Sequence, residues 1–159
     1  MSSQTVEKFG NRIRLRVCGL LFKGEDLLLI NHKGLYDHDF WAPPGGGVEF
    51  GEKAENALKR EFLEECGLHL TSHQYVFTCE FVKPPLHAIE LFFIVQGHGE
   101  PQLGRDPEMD AMQLITDFKF WSDEALATLP PTNRHGILSQ AKTLSRLPGL
   151  RGFYPLPNM

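Results

Sequence analysis

The segment that most constrains the fold runs from a proline and glycine cluster, residues 43–47, to Gly67. Two prolines followed by three glycines break regular structure, so we expect a loop there. From about Lys53 the residues are good helix formers, and Gly67 stands where a helix C-cap belongs. Apolar residues recur at every fourth position, namely Ala54, Leu58, Phe62 and Cys66. The segment therefore predicts a glycine-rich loop that leads into an amphipathic helix.

Three glutamates, Glu61, Glu64 and Glu65, lie on one flank of this helix, three and four residues apart. Like charges at this spacing destabilise an isolated helix by about 0.2–0.5 kcal/mol per pair. The helix dipole also favours cations rather than anions in the last turns, by ~0.3–1 kcal/mol per charge. A divalent cation removes both penalties, and hard oxygen ligands suit Mg²⁺ or Mn²⁺. Judged on spacing alone, a solvated acidic face is the commoner outcome for such a cluster.

The complete pattern of fixed residues favours the metal interpretation. It reads Gly-x5-Glu-x7-Arg-Glu-apolar-x-Glu-Glu-x-Gly-apolar from Gly46 to Leu68. Seven fixed residues at an average usage of roughly 7% each give chance odds on the order of 10⁻⁸ per window. At every position the pattern resembles the signature of the Nudix (MutT-like) hydrolases. The resemblance implies an α/β fold, the Nudix-type α/β/α sandwich with a mixed sheet between helices.

The same resemblance implies hydrolysis of a phosphoanhydride bond in a nucleoside diphosphate linked to a further group, with Mg²⁺ or Mn²⁺ as cofactor. Glu64 and Glu65 match the main metal ligands, and Glu61 matches a further ligand or the general base. The catalytic residues that the resemblance implies are Arg60, Glu61 and Glu64. The metal ligands that it implies are Glu61, Glu64, Glu65 and the carbonyl of Gly45 or Gly46. The residues that it implies as structural support of the motif are Gly46, Glu52 and Gly67. Arg60 and Glu52 match a pair that braces the loop against the helix. In some family members the base is a carboxylate of a distal loop, for which Asp106, Glu108 and Asp110 are the candidates here.

Substrate contacts outside the motif have two interpretations each. Arg14 and Arg16 alternate with apolar residues, as Arg12 does, and therefore share one face of a strand, where they contact substrate phosphates or simply face solvent. Trp41 stacks on a base or belongs to the core, and the same choice applies to Phe40, Phe50 and Phe81. The predicted substrate-binding residues are Arg14, Arg16, Trp41 and Glu108.

The substrate itself stays open among a nucleoside triphosphate, ADP-ribose and a nucleotide sugar. Pro84, sixteen residues beyond Leu68, is similar to a proline that marks the ADP-ribose pyrophosphatases of this family, although prolines are common in hairpin connections. The alternative to an enzyme is a non-catalytic, nucleotide-binding Nudix-like regulatory domain. Loss of motif carboxylates favours that alternative, and none is missing here.

Composition sets the remaining expectations. The 159 residues suit a single domain, 1–159, with 42% hydrophobic and 23% charged residues. The net charge of −4 argues against a general nucleic-acid-binding surface. The N-terminus lacks the apolar core of a signal peptide, and the apolar runs are too short for a membrane span. The three cysteines are scattered along the chain, and we expect them to be buried free thiols. We expect a cytoplasmic protein that takes a small nucleotide-type diphosphate and binds neither nucleic acid nor membrane, and a homodimer stays open.

The pattern of apolar runs and turn residues predicts an interleaved order of strands and helices. The expected strands are 12–22, 27–31, 75–82, 89–96 and one that ends near 118–121. The expected helices besides the motif helix are a short one capped by Ser122 and a last one at 132–146. The Pro-rich tail, 153–159, is either loose or packed on a neighbour.

Overall fold

The computed structural model of the protein describes residues 1–32, 35–102 and 117–157. In these ranges the α-helices are α1 (Ser3–Phe9), α2 (Ala54–Cys66) and α3 (Asp123–Ala127). The strands are β1 (Arg12–Leu20), β2 (Phe22–Lys23), β3 (Asp26–Asn31), β4 (Trp41–Ala42), β5 (Gly45–Gly47), β6 (His69–Lys83), β7 (Leu86–His98), β8 (Asp117–Trp121) and β9 (Gly152–Pro155). Short 3-10 helices follow α3, at Pro131–Asn133, Gly136–Ser139 and Leu144–Gly149.

The strands form two sheets, and the first of them is mixed. Its order is β5-β1-β7-β6-β9, with β1 parallel to β7, β6 antiparallel to β7, and β9 parallel to β6. The second sheet joins β2, β3 and β4, and β8 pairs with β3. The predicted α/β class with a mixed sheet is confirmed. No helix in the described ranges is long and apolar enough to cross a membrane.

Helix α2 forms as the sequence predicts, because each of its ends has a local cause. Gly67 adopts the left-handed conformation at φ 65°, and its N–H donates to the Leu63 carbonyl. That conformation costs glycine little, and it closes the helix. The buried apolar side chains of α2 are Ala57, Leu58, Phe62 and Cys66, which pack on β1, β3 and β7. Glu61 and Glu65 are buried on the same helix, so the packing of α2 also holds these two carboxylates at the glycine loop.

Gly19 in β1 lets this helix pack closely on the sheet. A Cβ atom at Gly19 would lie 2.4 Å from Cε2 of Phe62, whose side chain is completely buried. We therefore expect Gly19→Ala to lower the free energy of unfolding by about 1–3 kcal/mol, as overpacked cores do. Urea denaturation measures this change. Gly149→Ala is the control, because no atom lies within 4 Å of the added carbon there; equal stability of the two variants would contradict the packing argument.

The predicted last helix is wrong. The chain from Pro131 to Gly149 forms three separate 3-10 helices instead. Glycine, proline and small polar residues interrupt the segment, and side chains compete for its backbone donors. His135 Nδ1 accepts the Ile137 N–H at 3.2 Å, and Asp123 Oδ1 accepts the Leu144 N–H at 2.8 Å. Apolar residues of this segment are nevertheless buried, namely Ile137, Leu138, Leu144 and Leu147.

The Pro-rich tail pairs with the protein's own first sheet. Its strand β9 runs parallel to β6, from the pair Phe77 and Gly152 to the pair Glu80 and Pro155. The N–H of Leu156 then donates to the carbonyl of Glu80 at 2.8 Å, and the Leu156 side chain is buried. The part of the tail up to Leu156 is therefore neither loose nor dependent on a neighbouring molecule.

Candidate active site

The glycine loop, Gly45–Gly47, forms β5 and lies between β1 and α2. Its residues pair antiparallel with 16–18 of β1. A Cβ at Gly45 would lie 2.0 Å from the carbonyl oxygen of Val17, and a Cβ at Gly46 would lie 2.2 Å from the carboxylate of Glu61. Side chains at these two positions would push the loop off both neighbours. The glycines therefore allow the backbone to touch the strand on one side and a motif carboxylate on the other.

Arg60 joins the loop to the helix through its whole guanidinium group. Nε and Nη2 donate to the two oxygens of Glu52 at 2.9 and 3.0 Å, and Nη2 also donates to the Gly47 carbonyl at 3.0 Å. Nη1 donates to Glu61 at 2.9 Å and to Glu64 at 3.3 Å. The hydrogen bonds from Arg60 lower the pKa of Glu52. The sequence predicted a brace between loop and helix, and these contacts form one.

The three motif carboxylates differ in their surroundings. Glu61 and Glu65 are buried, whereas the Glu64 side chain is 23% exposed. Glu65 Oε2 accepts the N–H of Gly45 at 3.0 Å. Burial raises the pKa of Glu61 to about 7; Arg60 opposes this rise and Glu64 adds to it. Carboxylates crowded and buried in this way have a strong electrostatic preference for a nearby cation.

As a donor set, these carboxylates fit a hard divalent cation, since they are oxygen ligands with excess negative charge. Among the described residues, however, no three His, Cys, Asp or Glu side chains already converge on one cation position. Arg60 Nη1 contacts two of the carboxylates, and Glu65 is bonded to the loop. The chemistry of the donors therefore fits Mg²⁺ or Mn²⁺, whereas in this arrangement Glu61 and Glu64 are hydrogen-bonded to Arg60.

A cavity of about 120 Å³ opens beside the glycine loop. The loop, Glu61 and Glu65 form one part of its wall. Arg14 also lines it, and the Arg14 guanidinium lies 4.3 Å from the centre of the Phe9 ring. The remaining wall is largely aromatic and includes Tyr36, Phe40, Phe81, His32 and His135. The cavity thus combines charged groups near the motif with flat apolar surfaces.

A buried network of three side chains forms another part of the cavity wall. Glu90 Oε2 accepts from Arg16 Nη1 at 2.7 Å, and Glu90 Oε1 lies 2.7 Å from His135 Nε2. Burial raises the pKa of Glu90, but His135 and Arg16 outweigh it and lower the pKa to about 2. Nearby, burial and then the positive charge of Arg16 lower the pKa of His32 to about 3. At neutral pH the wall therefore holds an ionised Glu90 and an uncharged His32.

The residues predicted as substrate contacts are only partly brought together. Arg14 and Arg16 line the cavity, whereas Arg12 does not. Trp41 is buried against Trp121, with ring centroids 4.9 Å apart, and does not line the cavity. Because its indole belongs to the core, we no longer assign Trp41 to substrate binding.

The other three aromatic candidates and the acidic residues Asp106, Glu108 and Asp110 have different outcomes. Phe40 and Phe81 line the cavity, whereas Phe50 is fully exposed and lies outside it. Asp106, Glu108 and Asp110 lie outside the described residues, so their predicted role as base or substrate contact stays a prediction.

Sequence reasoning missed Glu90 and His135. The signal for Glu90 was available, because it is the single carboxylate in the run 86–95, which is apolar apart from Glu90 and His87. A charge there requires a buried partner. His135 had no comparable signal, since it falls within the segment predicted as the last helix.

Comparisons with known proteins agree with this fold and site. A family model described as the NUDIX domain matches residues 12–136. An ADP-ribose pyrophosphatase from Methanocaldococcus jannaschii is 31% identical in an alignment 124 positions long that covers 67% of this chain and 73% of that protein. An oxidized purine nucleoside triphosphate hydrolase from Mus musculus is 30% identical in an alignment 117 positions long that covers 70% of this chain and 75% of that protein. A NUDIX hydrolase from Nitrosomonas europaea shares the fold, with a TM-score of 0.70 at 19% identity over 91% of this chain and 94% of that one. The chain therefore belongs to the NUDIX (MutT-like) family of hydrolases.

Proposed function

We propose that this chain is a Mg²⁺- or Mn²⁺-dependent pyrophosphohydrolase that cleaves a phosphoanhydride bond in a nucleoside diphosphate linked to a further group. The observation that carries the proposal is the complete motif, folded so that Glu61 and Glu65 line the cavity beside the glycine loop while Glu64 shares Arg60 with Glu61. When bound, the cation neutralises charge on the diphosphate oxygens. Glu64 and Glu65 are the proposed main ligands, with Glu61 as a further ligand or the general base.

The cavity supports a substrate that has an anionic part and a flat part. Arg14 and Arg16 supply positive charge beside the glycine loop, which suits phosphate oxygens. Tyr36, Phe40 and Phe81 supply the apolar faces on which a nucleobase packs. In this proposal the flat group enters the aromatic part while the diphosphate lies along the loop.

The two relatives named above act, by their names, on ADP-ribose and on oxidized purine nucleoside triphosphates. Both classes therefore belong in the substrate panel, together with nucleotide sugars and unmodified nucleoside triphosphates. Hydrolysis with Mg²⁺ or Mn²⁺ is measured by chromatography of the nucleotide products. The proposal expects at least one substrate whose turnover stops when EDTA is added. Folded protein that binds these nucleotides but hydrolyses none of them would instead favour the non-catalytic regulatory domain.

Location and assembly belong to the same proposal. A cytoplasmic site of action agrees with the three cysteines, all of which are buried free thiols. The homodimer expected as a possibility stays a prediction, and light scattering of the purified chain tests it. Exposed Ile13 and Leu15 on β1 are the apolar residues that a second copy would cover.

A further inference from the structure

We propose that Glu90 and His135 are positioning residues that fix Arg16 beside the glycine loop, so that the segment after α3 controls how tightly the site holds substrate phosphate. The inference rests on the proposed function and deepens it. It starts from the buried network described above, which connects β7, the 3-10 helix Gly136–Ser139 and β1.

Sheet register places Glu90 where it reaches both partners. In the parallel pair of β1 and β7, Arg16 lies directly beside Glu90. The Glu90 side chain is 1% exposed; its Oε2 accepts from Arg16 and, at 3.6 Å, from the Cys18 thiol, and its Oε1 contacts His135. A carboxylate so deeply buried is retained only if its charge is matched. Glu90 therefore cannot turn away from Arg16 without losing its counter-charge.

The orientation of His135 follows from its other nitrogen. Nδ1 accepts the Ile137 N–H at 3.2 Å, so that nitrogen carries no proton. The proton of the neutral ring is then on Nε2, which donates to Glu90 at 2.7 Å. The His135 backbone N–H donates to the Trp41 carbonyl at 2.8 Å, and the ring packs near Phe81. Both ring nitrogens and the backbone of His135 are thus engaged, which holds the imidazole in one orientation.

Arg16 is the group that this arrangement holds in place. Nη1 is bonded to Glu90, and Nη2 donates to the Gly45 carbonyl at 3.5 Å. Nε is buried and has no hydrogen-bond partner among the described residues, so the contacts of Arg16 within the protein do not use every donor of its guanidinium. Because the Arg16 side chain is 21% exposed and lines the cavity beside the loop, the exposed part of its guanidinium is the group that we assign to an oxygen of the substrate diphosphate.

These contacts connect the 3-10 helix with the glycine loop in a fixed order. The Ile137 N–H orients His135, and both His135 and Arg16 contact Glu90. Arg16 in turn contacts the carbonyl of Gly45, whose N–H donates to Glu65. Removing the contact between His135 and Glu90 should therefore act through Arg16. It should weaken substrate binding, seen as KM, more than turnover, seen as kcat.

Two substitutions at His135 separate this role from a structural one. His135→Asn keeps an oxygen that accepts the Ile137 N–H, since asparagine is a favoured capping residue, but its shorter side chain does not reach Glu90. His135→Gln has the length to donate to Glu90. We expect KM to rise roughly 10-fold in His135→Asn, with kcat within about twofold, and to stay near the wild-type value in His135→Gln.

A double-mutant cycle with Arg16→Gln then tests the route of the effect. If His135 acts through Arg16, adding His135→Asn to Arg16→Gln raises KM no further. Independent, multiplicative effects of the two substitutions would overturn the proposal. His73→Asn is the matched control, because it breaks a histidine–glutamate contact of 3.1 Å with Glu55 that lies outside the cavity; its KM should equal that of the wild type.

A spectroscopic measurement on the full chain gives a readout that does not require activity. Imidazole ¹⁵N chemical shifts should show His135 as the neutral Nε2–H tautomer, and the Arg16 Nε–H signal should shift in His135→Asn but not in His73→Asn. A protonated Nδ1 or an unmoved arginine signal would refute the positioning role. Lack of hydrolysis by the wild type, with these signals as expected, would refute the proposed function alone.

Discussion

Replacing Glu64 and Glu65 together by glutamine is expected to lower kcat/KM by roughly 10²–10³-fold, the scale of losing a main electrostatic contribution in an active site. Glutamine keeps the shape of each side chain and removes its charge, so the two proposed main ligands become poor ligands for Mg²⁺. The variant should stay folded, because Glu65 accepts the Gly45 N–H and a glutamine oxygen accepts it as well. Steady-state kinetics on the substrate identified in the panel measure the effect.

The matched control lies on the same helix. Glu55 is exposed, and its carboxylate faces His73 rather than the cavity. Glu55→Gln should leave kcat/KM within about twofold of the wild type, as surface substitutions usually do. A double variant that keeps wild-type kcat/KM would mean that the helix carboxylates do not hold the catalytic cation.

Arg60→Lys is expected to lower kcat/KM by roughly 10–100-fold, the usual scale for the groups that orient metal ligands. The charge is kept, but one ammonium group cannot reach Glu52, Glu61, Glu64 and the Gly47 carbonyl at once. Glu61 and the loop should lose their fixed positions relative to each other. Because the Arg60 side chain is 24% exposed, the cost in unfolding free energy should be modest, about 1–2 kcal/mol.

Kinetics and thermal denaturation of Arg60→Lys are compared with those of Lys59→Ala, a change at an exposed neighbour on the same helix. Arg60→Lys should lower kcat/KM far more than it lowers thermal stability, whereas Lys59→Ala should lower neither. If Arg60→Lys and wild type hydrolyse the substrate equally fast, positive charge alone suffices and the bracing geometry has no catalytic role.

The motif region was predictable because its signals are local. Helix formers after Lys53, the left-handed cap at Gly67 and the breakers at 43–47 each act within a few residues. The brace between Arg60 and Glu52, eight residues apart, was implied by the resemblance to the family and not by local signals. The strands β6 and β7 were also predicted, although both extend further than the alternating pattern indicated.

The cavity wall was not predictable in the same way, since it depends on strand register and on long-range contacts. Arg16 meets Glu90 across 74 residues, and His135 meets Glu90 across 45. No feature of the sequence near His135 indicates that Glu90 is its partner. Trp41, in contrast, was predicted to bind substrate although it does not line the cavity. Its position before the glycine loop suggested stacking on a base, but the pairing of β4 with β3 places its indole in the core against Trp121.

The last helix failed for an energetic reason. Its apolar spacing is compatible with a helix, but Gly136 weakens one, and the side chains of His135 and Asp123 bind backbone donors that a helix needs. Burial of Ile137 and Leu144 is achieved without regular helix, since tertiary packing decides the local structure there.

The central claim, that the carboxylates of α2 hold the catalytic cation, is tested most directly by Mn²⁺ binding followed with electron paramagnetic resonance. We expect the wild-type chain to bind Mn²⁺ and Mg²⁺ to displace the bound Mn²⁺. The Glu64→Gln/Glu65→Gln variant should lose most of its affinity for Mn²⁺, whereas Glu55→Gln should keep the wild-type affinity. Equal Mn²⁺ affinity in the wild type and the Glu64→Gln/Glu65→Gln variant would contradict the claim and place the cation elsewhere.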